Sequence, residues 1–186
     1  MLFGWLKTLL SSIFKVFGAQ TISPTHPASS AQMNTQNALV AQDTGLSIPF
    51  YPGLIDHLEL DHQHLLALYT HISDLFNSKK YADIASQLAI FKADFKAHLD
   101  AENIKFYGYL EQSLKDQSEQ FAELRRFRKE MRSIERTVIK FLDHWMEFGV
   151  DRQSAPEFKT EYNAIGAALI KRIESEELEL YTLYQA

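Results

Sequence analysis

Apolar residues recur at helical spacing from Leu54 to Ala186, and this pattern constrains the fold more than any other feature of the chain. A repeat every three or four residues predicts amphipathic α-helices with one buried face. Polar connections divide the pattern into four helices, at about 54–76, 81–111, 117–149 and 156–184. Short connections force successive long helices to run antiparallel. The sequence therefore predicts an all-α, up-down-up-down four-helix bundle over residues 54–186.

Residues 1–18 predict an amphipathic helix that lies on a membrane surface. Lys7 and Lys15 interrupt the apolar run, which leaves it short of the roughly 20 apolar residues that a spanning helix needs. Both lysines fall on one narrow polar stripe, the broad opposite face includes Phe14, and the segment also carries Trp5. Cationic helices with such rings bind anionic membrane surfaces. We expect a cytoplasmic protein that associates peripherally with the membrane through this helix.

Two other interpretations of residues 1–18 stay open. The segment could be a cleaved signal peptide, in which case the chain would be exported. It could also pack on the bundle itself or on a protein partner.

Residues 19–53 predict a flexible linker. They are rich in Ser, Thr, Gln, Asn, Ala and Pro, and Asp43 is the single charged side chain. The last stretch, from Ile48 to Pro52, is more apolar, and its prolines favour extended backbone. We expect this stretch to lie along the bundle just before the first helix.

Composition limits the chemistry that the bundle can host. The 186 residues include seven His and no Cys, which excludes disulfides, Cys-ligated zinc, iron–sulfur clusters and Cys nucleophiles. A formal net charge of −5 argues against a general nucleic-acid-binding protein. The chain has no Gly-rich phosphate loop and no G-x-S-x-G elbow, so nucleotide chemistry and serine hydrolysis have no support. A metal would be held by His and carboxylate ligands, which favours iron, manganese or zinc.

The bundle sequence contains an internal repeat. When the first helix is laid over the third so that His62 meets Glu135, the apolar positions coincide, and the second helix matches the fourth in the same way. Two similar helical hairpins place equivalent side chains at one depth of a bundle. Ionisable residues interrupt the apolar stripes at these matching points, so we expect them to face the interior together. They are His62, His98, Glu102, Glu135, Arg172 and Glu176.

At these residues the chain resembles the hemerythrin-like family of cation-binding proteins. The bundles of that family carry a His on the first helix, His-x-x-x-Glu on the second, and a second such set on the third and fourth. The pair Asp61-His62 and the run from His98 to Glu102 match the first half of this pattern. The resemblance covers residues 54–186. It implies a non-haem iron or other cation site that serves in binding oxygen or nitric oxide, in redox sensing or in iron handling, and so a protein that is not an enzyme.

The second half departs from the family pattern. Glu135 stands where the third helix would carry a His, and Arg172 replaces the His that would precede Glu176. With neutral histidines, three inward carboxylates and one guanidinium leave two uncompensated negative charges, which one divalent ion would balance and two would exceed. Arg172 cannot lose its proton to become a ligand.

The sequence therefore predicts one iron ion rather than two, with Arg172 where a second ion would bind. The predicted ligands are His62, His98 and Glu102, together with one or both of Glu135 and Glu176. A degenerate ferritin-like carboxylate site is one alternative. Another is a metal-free core in which Arg172 pairs with Glu135 or Glu176, so that the bundle is a scaffold that residues 1–18 dock onto a membrane or a larger assembly.

Three further histidines, His57, His64 and His71, recur every seven residues on the side of the first helix away from His62. Because residues seven apart share a helix face, we expect these three on one partly exposed surface.

Overall fold

The computed structural model describes residues 47–186, and it confirms the all-α four-helix bundle. Helix α1 spans Leu54–Asn77. Helix α2 is α-helical over Tyr81–Ala101, π-helical over Glu102–Tyr107 and α-helical again over Gly108–Ser113. Helix α3 spans Ser118–Phe148. Helix α4 is α-helical over Ala155–Ser175, π-helical over Glu176–Leu180 and 3₁₀-helical over Tyr181–Leu183.

Two predicted segments lie partly or wholly outside residues 47–186. The amphipathic helix predicted for residues 1–18, with Trp5, Lys7, Phe14 and Lys15, lies outside the described residues, as does most of the predicted linker. Within residues 47–186, none of the helices combines the length and the apolar character needed to cross a membrane.

Contacts between neighbouring helices confirm that they run antiparallel. On α2 and α3, Lys92 forms an ion pair with Asp143, and Glu111 forms one with Arg128. Residue numbers thus rise along α2 as they fall along α3. The connections are short, so each helix packs against the next one in the chain.

The connection between α3 and α4 uses residues suited to a tight turn. Gly149 follows the last turn of α3 with a φ of 71°, a positive value that glycine adopts without strain. The carboxylate of Asp151 accepts a hydrogen bond from the backbone N–H of Ser154, and the Ser154 hydroxyl accepts one from the N–H of Asp151. Pro156 lies in the first turn of α4, where its missing N–H has no helical partner to lose.

The segment before α1 packs on the bundle. The ring of Phe50 stacks on that of Tyr184 with centroids 4.8 Å apart, and the backbone N–H of Tyr51 donates to the Tyr184 hydroxyl over 2.8 Å. The N–H of Ile48 donates to the side chain of Gln112. Residues 47–53 therefore lie along the bundle, as the apolar composition of this stretch predicts.

A layer of buried ionisable side chains divides the hydrophobic interior into two clusters. The larger cluster extends toward the α1–α2 connection and includes Ile72, Leu88, Phe95, Leu142, Trp145 and Phe158. The smaller cluster fills the opposite end and includes Leu58, Phe106, Leu110, Leu124 and Leu180. The layer between them consists of His62, His98, Glu102, Arg172 and Glu176, each at most 5% exposed. These five side chains face the interior, as the helical period predicts.

Two tyrosines join α1 to α4 and close the bundle. The hydroxyl of Tyr69 donates to the backbone carbonyl of Tyr162, and the Tyr162 hydroxyl donates to the carbonyl of Tyr69. Their rings stack with centroids 4.1 Å apart. Gly166 makes room for this arrangement, because a Cβ at that position would lie 2.7 Å from Cζ of Tyr69 and closer still to its hydroxyl.

We expect Gly166→Ala to destabilise the protein by about 1–3 kcal/mol, because the added methyl group displaces the Tyr69 ring. The control is Asn163→Ala, an exposed position on the same helix that gains helix propensity without a clash. Urea denaturation followed by circular dichroism measures both. A Gly166→Ala variant as stable as the Asn163→Ala variant would contradict this account of the close approach.

Candidate metal centre

Three side chains from three helices form a compact cluster in the polar layer. His62 on α1, His98 on α2 and Glu176 on α4 are all buried, and each offers a ligand atom within 4.8 Å of those of the other two. Nε2 of His62 lies 3.4 Å from Oε2 of Glu176, and the two imidazole rings have centroids 4.7 Å apart. The structure therefore brings together three of the five predicted ligands.

Both glutamates of the layer begin a π-helical segment. In a π-helical turn the hydrogen bonds run from residue i to i+5, which widens the turn by one residue. Residues five apart then share a face, so Tyr107 is buried with Glu102 and Tyr181 with Glu176. The two halves of the repeat thus carry the same distortion at the same depth. Isolated π-helical turns are frequent at functional sites.

Arg172 links the cluster to the rest of the polar layer. Its Nε donates to Oε1 of Glu176 over 2.6 Å, and its Nη2 donates to the hydroxyl of Tyr107 over 2.7 Å. The guanidinium lies over the ring of Phe127, 5.2 Å from the centroid. Burial lowers the pKa of Arg172, but its interactions with Glu176, Tyr107 and Glu102 together outweigh burial and keep the pKa above its usual value. Arg172 is therefore a permanent cation inside the bundle.

His62 is held in its protonated form. Its Nδ1 lies 2.9 Å from Oε1 of Glu177, in addition to the contact with Glu176. Burial lowers the pKa of His62, but its hydrogen bonds to the two glutamates outweigh burial and raise the pKa to about 9. Glu177 was not among the predicted site residues. Its contact with His62 joins two helices, so Glu177 has no local sequence signal.

Burial favours the neutral forms of the other two ionisable groups in the layer, Glu102 and His98. Burial and the negative charge of Glu176 raise the pKa of Glu102 well above its usual value, and the Tyr181 hydroxyl donates to Oε1 of Glu102 over 3.4 Å. Burial lowers the pKa of His98, although a neighbouring carboxylate, Asp61, opposes the shift. His98 therefore presents a neutral imidazole, which is the form that binds metals.

Glu135 does not join this cluster. The side chain is partly exposed on α3, whereas Phe127 and Met131 are the buried residues that α3 contributes at this depth. Ile134, next to Glu135, packs against the larger hydrophobic cluster. The repeat aligns Glu135 with His62, but α3 presents an apolar neighbour to the interior in its place.

The excess of two negative charges expected from the sequence is absent, because the layer balances its own charge. Arg172 neutralises Glu176, and protonated His62 is paired with Glu177. The raised pKa of Glu102 favours its neutral form. Buried ions that are paired and hydrogen-bonded avoid most of the cost of an isolated charge.

A small cavity of about 30 Å³ adjoins the cluster. His62, His98, Arg172 and Glu176 line its polar side. Its apolar lining includes Leu65, Leu66, Tyr69, Phe91, Phe95, Met131, Leu169 and Ile173. A single water needs roughly 10–15 Å³ on this scale. The cavity is therefore large enough for a diatomic molecule and too small for an organic substrate.

The donor set fits a single metal ion. Ligands that bind one ion at about 2.0–2.2 Å are themselves roughly 3–3.5 Å apart, close to the 3.4 Å between His62 and Glu176. Two atoms here are buried without a hydrogen-bond partner among the described residues, Nδ1 of His98 and Nη1 of Arg172. The fixed charge of Arg172 disfavours a second cation beside the first.

Comparison with protein families gives a match to the model described as the hemerythrin HHE cation binding domain, over residues 53–184. The matched region contains all four helices and every residue of the polar layer. Neither the curated proteins nor the solved structures contain a match to the chain.

The metal-free protein should lose stability as the pH rises from 6.5 to 9. Between these values the folded chain keeps the His62 proton that the unfolded chain has lost, so the stabilisation is complete below pH 6.5 and disappears as the pH rises through 9. We expect a loss of about 3 kcal/mol in the free energy of unfolding across this range. Urea denaturation with a chelator present, at a series of pH values, measures it.

Glu177→Gln should flatten this pH dependence, because it removes one of the two partners that raise the pKa of His62. The matched control is Glu179→Gln, an exposed position in the same turn. Equal slopes in the Glu177→Gln variant and the wild type would refute the role of Glu177.

Proposed function

The chain belongs to the hemerythrin HHE cation-binding family, and on that basis we propose that it binds one non-haem iron ion in the polar layer and takes up oxygen or nitric oxide beside it. The observation that supports this most strongly is the buried cluster of His62, His98 and Glu176. Two imidazoles and a carboxylate form a ligand set typical of non-haem iron. Glu102, buried next to Glu176, is the candidate fourth ligand.

The surroundings of the cluster support a sensor or carrier of a small gas rather than an enzyme. Bound iron supplies affinity for diatomic gases and one-electron redox chemistry. The apolar walls of the cavity exclude bulk water, and its volume of about 30 Å³ excludes larger molecules. Asp61 faces Nδ1 of His98 at 3.5 Å, where it can orient the imidazole ring. Arg172 holds Glu176 in place through the Nε hydrogen bond.

Uptake of the ion requires the cluster to give up protons. His62 must lose its proton to become a ligand, and so must Glu102 if it binds. The two positive charges that arrive are thus offset by protons that leave, while Arg172 and Glu177 keep their charges. This exchange keeps the net charge of the polar layer nearly constant.

Iron(II) added to the protein under anaerobic conditions should bind at about one ion per chain, measured by elemental analysis after desalting. The affinity should rise with pH toward 9, and at pH 7 at least one proton per ion should be released, because His62 is protonated there. Titration calorimetry in buffers with different ionisation enthalpies counts the protons. Nitric oxide should then change the absorption spectrum of the iron-loaded protein and leave that of the iron-free protein unchanged.

His98→Ala should weaken iron binding by about tenfold or more, since it removes a ligand. His71→Ala is the matched control, because it removes an exposed imidazole from α1. Iron content well below one ion per chain in the wild type, or equal content in both variants, would rule out the proposed site.

A specific observation favours a second candidate, a metal-free scaffold. The Arg172–Glu176 and His62–Glu177 pairs satisfy one another without a metal ion. In that case the bundle would be an interaction module, and the iron titration would give no binding at any pH.

We also propose that the protein is cytoplasmic and associates with the membrane surface through residues 1–18. The support is the sequence pattern of this segment, in which a cationic stripe with Lys7 and Lys15 lies opposite a broad apolar face. A protein partner or an export signal would be the alternative roles of the segment.

Deletion of residues 1–18 should abolish co-sedimentation of the protein with vesicles that contain anionic lipid. The intact chain should bind these vesicles more strongly than neutral ones, because the segment is purely cationic. The substitution pair Lys7→Gln and Lys15→Gln should reduce the preference for anionic vesicles. Equal partitioning of the intact and shortened chains would eliminate the membrane role.

A further inference from the structure

We propose that the bundle carries a second, surface cation site between α1 and α2, which takes a divalent transition-metal ion. A surface pocket of about 230 Å³ lies there. The chemically active residues of its lining are three histidines and two aspartates, and no lysine or arginine lines it. They are His57, Asp61, His64, Asp94 and His98. His98 belongs both to this pocket and to the buried cluster, whereas the other four residues lie outside that cluster.

The spacing of these residues explains why they meet. His57, Asp61 and His64 lie four and three residues apart, so they occupy one face of α1. Asp94 and His98 lie four residues apart on the facing side of α2. The remaining lining residues include Ala97 and Ala101, whose small side chains leave space between the helices.

The distances within the pocket suit a metal ion. Oδ2 of Asp61 lies 3.7 Å from Nε2 of His57 and 3.5 Å from Nδ1 of His98. Nε2 of His64 lies 3.0 Å from Oδ2 of Asp94. Pairs of ligands on one ion are separated by roughly 3–3.5 Å, so the Asp61–His98 and His64–Asp94 contacts each have a spacing that a single ion can bridge.

One buried atom lies at the inner edge of this pocket. Nδ1 of His98 meets no strict hydrogen-bond criterion among residues 47–186, and it faces Oδ2 of Asp61 at 3.5 Å, although the side chain is only 5% exposed. Burying a polar atom without a close partner is costly, and a cation held by Asp61 would approach this nitrogen from the pocket side. His57 and His64 are free to adjust, since their side chains are 61% and 59% exposed.

The ligand types indicate which ion would bind. Imidazole nitrogens favour zinc, copper, iron and nickel, whereas calcium and magnesium prefer oxygen ligands alone. The two carboxylates supply negative charge without a neighbouring cationic side chain in the lining. The pocket therefore fits a divalent transition metal held by imidazole and carboxylate groups.

Zinc titration of the full chain tests this site, with calorimetry for affinity and elemental analysis for stoichiometry. The double variant His57→Ala and His64→Ala should bind one zinc ion fewer than the wild type, or bind it about tenfold more weakly or worse. Asp94→Asn should weaken the same ion. The control is His71→Ala, and the helical circular dichroism of each variant verifies that it folds.

His62→Ala separates the surface site from the buried one. Zinc that remains bound to this variant and is lost on adding the His57→Ala and His64→Ala changes supports the surface site, whatever the fate of the buried cluster. Zinc binding that is unchanged by the His57→Ala and His64→Ala pair would overturn the surface site and leave the iron proposal standing. If zinc is lost only through the His62→Ala change, the surface site is overturned, because the buried cluster then accounts for all of the bound zinc.

Discussion

The buried ion pair between Arg172 and Glu176 is the interaction on which the rest of the structure depends. It lies in the middle of an apolar bundle, where an unpaired charge of either sign would cost several kcal/mol. Glu176 also contacts His62, whose proton is in turn shared with Glu177. One permanent cation thus allows a polar layer to persist between two hydrophobic clusters. Without it, the carboxylate next to His62 would have no fixed counter-charge.

This pair also departs from the ligand pattern that the family resemblance implies. The position that would carry a fourth-helix His carries Arg172, which can hold a carboxylate but cannot bind a metal. The remaining donors, His62, His98 and the two glutamates, suit one ion. In the proposed site, protons and a metal ion compete for the same groups, so one would replace the other with little change in net charge. The same groups account for both the metal-free structure and the proposed iron site.

Much of the candidate site could be predicted from the sequence, because helical period decides which residues face inward. Five of the six ionisable residues on the apolar stripes are buried at one depth. Glu135 is the exception, since small rotations of a helix exchange neighbours at the edge of its buried face. Glu177 and the π-helical turns could not be predicted, because they depend on hydrogen bonds made after the helices pack. The contact between Asp61 and His98 likewise joins two helices and has no local signal.

The sequence by itself determined the helical architecture, the order of the helices and the depth at which ionisable groups enter the core. Periodicity and connection length suffice for these, because they act within each helix or between neighbours. Only the tertiary structure decided how the groups pair, which of them keep their protons, and that His57 and Asp61 meet His98 at a surface pocket. Those properties depend on distances of a few ångströms between helices and on burial, which sets the strength of every charge interaction in the layer.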